Sequence, residues 1–131
     1  MNRNITVGLT MLASFGLGGI VAINGLHAQN KSPGAYAVVD ISEMVDPNLF
    51  TQQLLPKVTP TALAAFGGQY LVRTENITNL DGTPPKRFVV IAFDSMDKAK
   101  AWSSSPSQKE VDALRMKATK SRQFLVEGFS N

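Results

Sequence analysis

Residues 88–93, Phe-Val-Val-Ile-Ala-Phe, form an unbroken run of apolar, β-branched and aromatic side chains between Pro84-Pro85 and Asp94-Ser95. A run this short predicts a strand rather than a helix. Side chains alternate across a strand, so Phe88, Val90 and Ala92 face one way and Val89, Ile91 and Phe93 the other. Both faces of the sheet therefore need cover at this position, which makes the strand central. Ser95 next supplies a helix N-cap and Asp97 a carboxylate for the first turn, while Met96, Ala99 and Trp102 follow at helical spacing.

The rest of the chain punctuates itself in the same way. Residues 35–41 predict a first strand, with Tyr36, Val38 and Asp40 on one face and Ala37, Val39 and Ile41 on the other. Asp46-Pro47 opens a helical stretch whose apolar side is Phe50, Leu54, Leu63 and Phe66, but Pro56 and Pro60 lack an N–H and must break or bend it. Thr59 as cap with Pro60 at the first helical position restarts it, and Gly67-Gly68 supplies the left-handed stop. Residues 69–73 predict the next strand, resuming near Ile77, and the turn-forming stretch 79–85 leads into the central one. After the interruption at Ser103-Ser104-Ser105, Pro106 restarts a helix with Val111, Leu114 and Ala118 inward, and residues 122–129 predict the last strand. The order is βαββαβ, an α+β chain of the ferredoxin-like arrangement: a four-stranded antiparallel sheet with two helices on one face.

The N-terminus reads as an address. Arg3 precedes an uncharged run over 4–25 whose apolar part spans 5–23, followed by the polar Gln29-Asn30-Lys31-Ser32-Pro33. That is the layout of a secretory signal. The alternative is an uncleaved anchor, because the apolar part would reach about 28 Å as a helix. The expectation is a signal peptide or N-terminal anchor at 1–28, a linker at 29–34 and a single domain at 35–129. The domain is then exported to the periplasm or secreted, or held facing outside the cytoplasm, with membrane contact only through the N-terminal segment if it is uncleaved.

Composition narrows the chemistry. The chain has no cysteine, and its single histidine, His27, lies in or beside the signal. The folded domain thus has neither thiol nor imidazole, and no metal or cofactor is expected. A pI near 9.4 suggests nucleic acid, but the formal charge is only +3 and no aromatic residues interleave with a basic cluster, so no nucleic-acid partner is expected. The remaining candidates are Tyr36, Asp40, Arg73, Arg87, Trp102, Arg115, Arg122 and Glu127. Arginine forks and aromatic faces can still orient a small acidic or planar ligand, and Tyr36, Arg73, Trp102 and Arg115 are the candidate ligand-binding set. The bland alternatives are a core tryptophan and structural ion pairs. Asp40 and Glu127 read either as a carboxylate pair or as solvated strand ends.

These segments together resemble a known family. AYAVVDI, LAAFGGQYLVR, PPKRFVVIAFDSMDKAKAW with its following serine-proline stretch, Leu114-Arg115 and the closing FLVEG are similar to the bacterial domain-of-unknown-function family 1330. The resemblance covers about 35–128 and implies a ferredoxin-like fold of the dimeric α/β barrel type, leaving the activity open. The chain departs from the pattern at Ser103, where many members carry tyrosine after the tryptophan. Two function classes follow: a homodimeric small-molecule-binding protein or cofactor-free enzyme with a pocket between sheet and helices, and a noncatalytic structural or interaction protein of the cell envelope. A homodimer through sheet faces is expected in either, since a sheet covered on one side leaves the other wet; alternation leaves open which face that is, Phe88 and Val90 lying on one and Val89, Ile91 and Phe93, the candidate interface residues, on the other.

Overall fold

The computed structural model describes residues 34–130, and the expected signal or anchor lies outside the described residues. Four strands form the sheet: β1 (Ala35–Met44), β2 (Gly68–Thr74), β3 (Arg87–Phe93) and β4 (Thr119–Glu127). They are all antiparallel neighbours in the order β2-β3-β1-β4. With the intervening helices this is the ferredoxin-like βαββαβ arrangement. Between β2 and β3 the chain stays in turns, without the strand expected to resume near Ile77. Gly82 there has φ +72°, open to glycine at little cost, and its carbonyl accepts from Asn79 Nδ2 at 2.9 Å.

The helical segments are set by their caps and prolines. Asp46 accepts from the Leu49 N–H at 3.1 Å and starts α1 (Pro47–Leu49), which widens into a π-helical turn over Phe50–Leu54 and tightens into a 3₁₀ turn over Leu55–Lys57. Thr59 Oγ1 accepts from the Ala62 N–H at 3.2 Å and starts α2 (Pro60–Ala64), which Gly67 ends with φ +76°. Ser95 and Ser105 cap α3 (Met96–Ser103) and α4 (Pro106–Ala118) in the same manner. The first crossover is therefore a string of short turns, whereas the second is two regular helices joined at a serine-proline break.

All of these segments lie on one face of the sheet. Ala35 and Ala37 of β1 and Ala99 of α3 are fully buried, and their small side chains let the helix approach the sheet closely. Ile91 and Phe93, 3% and 4% exposed, sit in the same cluster, with the Phe93 and Trp102 rings 5.4 Å apart. A second cluster forms around Val39, Ile41, Phe50, Leu54 and Val111, and Val89 packs against both. This corrects the expectation for Val89, Ile91 and Phe93: they belong to the interior under the helices, not to a face free to meet a second copy. Alternation defines two faces, and the helices cover the one that carries Ala35 and Ala37 of β1 together with Ile91 and Phe93 of β3. The open face instead carries Tyr36, Val38, Phe88, Val90, Phe124 and Val126, the last two 41% and 40% exposed.

Candidate functional site

Between the helix-covered face and the first crossover lies a cavity of about 350 Å³. That is at the small end of ligand pockets, which run about 300–1,000 Å³. Val39, Val89 and Ile91 form its floor, and Leu54, Leu63 and Val111 belong to its walls and roof. One row across the sheet organises its polar rim: Arg73 pairs with Val89, Val89 with Val39, and Val39 with Gln123. Three strand spacings of about 4.8 Å put the outer two backbones roughly 14 Å apart.

On the β2 side a bulge shapes the site. The pairing of β2 with β3 shifts register between Tyr70 and Val72, so Tyr70 and Arg73 both line the cavity although their odd spacing would set them on opposite faces of a regular strand. Arg73 Nη1 donates to the Val58 carbonyl at 2.7 Å, and its guanidinium lies 4.7 Å from the centre of the Tyr70 ring. The Tyr70 hydroxyl donates to the same carbonyl at 3.0 Å. Among the described residues Arg73 has no carboxylate partner. Arg87, also on the cavity wall, reaches the exposed Glu75 at 3.3 Å, and its guanidinium lies 5.5 Å from the centre of the Phe50 ring.

The β4 side is polar but neutralised. Asp112 Oδ1 lies 3.5 Å from Arg115 Nη2 and accepts from the amides of Gln108 at 3.0 Å and Gln123 at 3.2 Å. Arg115 Nη1 donates to Ser121 Oγ at 2.7 Å, and its Nε is buried without a partner. Here the guanidinium is largely occupied by the protein. At the outer rim Lys57 and Glu110 meet at 3.4 Å and join the first crossover to α4.

Of the residues expected to bind a ligand, Arg73, Trp102 and Arg115 line this cavity and Tyr36 does not. Tyr36 points from β1 to the open face, beside Ala92 and Val126. Asp40 and Glu127 form no carboxylate pair. Asp40 accepts from Arg122 Nη2 at 3.1 Å, while Glu127 stands opposite Ala35, five residues away along β1 and so roughly 17 Å from it. Tyr70, Gln108 and Gln123 were not among the expected site residues. The one local signal for them is the i, i+4 spacing of Gln108 and Asp112 on a helix.

The family model of a domain of unknown function (DUF1330) matches residues 34–129. The chain belongs to this family. No curated protein matches it. A protein of unknown function from Rhodopseudomonas palustris is similar in structure, with TM-score 0.52 and 9% identity over 85% of this chain and 94% of that one. A dimeric protein of unknown function and ferredoxin-like fold from Bacteroides fragilis gives TM-score 0.46 and 10% identity over 73% of this chain and 96% of its own. Among the described residues of this DUF1330 domain no group of three or more His, Cys, Asp or Glu side chains is placed to hold a metal ion.

The electrostatics of the β2 side single out one titrating group. Burial pushes the Tyr70 phenol above its ordinary value of 10.0, partly offset by the positive charges of Arg73 and Arg87. Its proton is therefore held more tightly in the folded chain than in the unfolded one. The resulting stability is present below about pH 10 and is lost as pH rises through the folded-state value. Spectrophotometric titration of the phenolates should show a component above pH 10 that is absent from Tyr70→Phe. The fall in unfolding free energy above pH 10 should be shallower in that variant.

Proposed function

We propose that this domain is an exported homodimer that binds a small apolar acid in the cavity between sheet and helices. One observation carries the reading: the guanidinium of Arg73 stands at an apolar cavity without a carboxylate partner among the described residues. A buried or half-buried cation is costly unless paired, and its fork geometry suits a carboxylate. Arg115 lacks that opening because Asp112 and Ser121 already engage it. The occupant therefore places its anion at the β2 side and its apolar body over Val89 and Val39. Without imidazole or thiol in the described residues, the arrangement is suited to holding and orienting a ligand rather than to nucleophilic attack.

trans-Cinnamate, a flat apolar acid, is a suitable first probe by calorimetry and thermal shift. It should bind, and Arg73→Met should weaken it by about ten- to a hundredfold, the loss of a charge-assisted hydrogen bond of roughly 1.5–3 kcal/mol. Unchanged binding by Arg73→Met, or no binding by the wild type, would refute the reading.

The homodimer rests on the open face. Val38, Phe88, Val90, Phe124 and Val126 form one apolar surface there, next to the exposed Val72 and Leu71. A second copy covers it economically because a two-fold interface uses the same patch twice, and about 800 Å² per partner suffices for a stable complex. Light scattering should find a wild-type dimer and a folded Val90→Asp monomer. Ile91→Asp, which places a charge in the core, should instead leave no folded chain. A wild-type monomer at micromolar concentration would be incompatible with this assembly.

Export rests on Arg3 and the apolar run after it. The protein recovered from its producing cell should have an intact mass short by about the first 28 residues; full-length protein in the membrane fraction would replace the cleaved signal with an anchor.

A further inference from the structure

The β4 side of the cavity adds a second requirement to the ligand. Gln108 lines the cavity and is only 8% exposed. Asp112 dictates how its amide lies. A carboxylate paired with an arginine can only accept, so both Gln108 and Gln123 must turn their NH₂ groups toward Asp112 Oδ1, as they do at 3.0 and 3.2 Å. The amide oxygens are thereby committed to the other side. Among the described residues neither Gln108 Oε1 nor Gln123 Oε1 accepts a hydrogen bond, and Arg115 Nε is the buried polar side-chain atom left without a partner. Gln108 thus brings to the cavity lining an amide oxygen that no described residue engages.

The two sides of the cavity therefore ask for complementary groups. The β2 side offers donors and a positive charge through Arg73, whereas the β4 side offers neutral acceptors, with the apolar pair Val89 and Val39 between them. We infer that the ligand is a short apolar acid carrying a hydroxyl or N–H at the end remote from its carboxylate, and that Gln108 Oε1, with Gln123 Oε1 beside it, selects for that donor. This rests on the preceding reading, in which the anion lies on Arg73. It adds a specificity-determining residue that makes no use of charge. A second carboxylate at the far end is disfavoured, because it would meet two acceptor oxygens and a guanidinium whose charge Asp112 already offsets. An acid with nothing polar there covers that acceptor without satisfying it.

Paired probes test this on the intact chain. trans-Cinnamate and trans-4-hydroxycinnamate differ only in the remote hydroxyl, and the wild type should bind the second about tenfold more tightly, the scale of one neutral hydrogen bond. In Gln108→Met the advantage should vanish, with cinnamate binding at least as well as to the wild type because the unsatisfied acceptor is gone, and 4-hydroxycinnamate binding more weakly; a purely structural role of Gln108 would weaken both acids alike. Gln123→Met gives an independent variant should Gln108→Met fold poorly, and the comparison of the two acids on the wild type needs no variant. If cinnamate binds and the hydroxyl gains nothing, or if the advantage survives in both Met variants, the inference falls and the proposed function stands. If neither acid binds, both fall.

Discussion

Pro56 and Pro60 prevent the first crossover from becoming one continuous helix, and the interior is arranged around that interruption. A regular helix of this length would lay a continuous apolar stripe on the sheet and fill the space beneath it. The chain instead passes through an α turn, a π turn, a 3₁₀ turn and a short α-helix, all but the π turn with a capping side chain or a proline at the start. Under the other crossover the packing is tight, because Ala35, Ala37 and Ala99 bring α3 close to the sheet. The core divides into two clusters, with Val89 touching both and residues of both lining the cavity.

Local chemistry was legible in the sequence because it is decided within a few residues. Asp46, Thr59 and Ser95 sit just ahead of helical stretches, two of them ahead of a proline, and each caps the segment it precedes. The order of elements along the chain followed from alternation and turn residues. What was not legible depends on contacts far apart in the chain. Which face is covered is settled where Ala35, Ala37, Ile91 and Phe93 meet Ala99 and Trp102 across the chain, and it leaves Tyr36 out of the site and takes Val89, Ile91 and Phe93 into the interior. The bulge at Leu71 has no local signature either, yet it brings Tyr70 and Arg73 into one cavity.

Arg73 and Arg115 carry the same side chain and had equal standing in the sequence, but their surroundings separate them. Arg115 is held by Asp112 and Ser121 and serves to set the orientation of two glutamine amides. Among the described residues Arg73 meets only a carbonyl oxygen and an aromatic ring. An arginine's availability is thus a property of its neighbours, one that no count of basic residues reveals.

The Val58 carbonyl accepts from both Arg73 and Tyr70, so it is the point where the interrupted crossover is tied to the edge of the sheet. A guanidinium carries five N–H donors, and this carbonyl engages Nη1. The tie therefore fixes where the Arg73 fork stands without using up the fork, and the same bond that closes the crossover onto the sheet edge also sets the direction of a charge at the cavity.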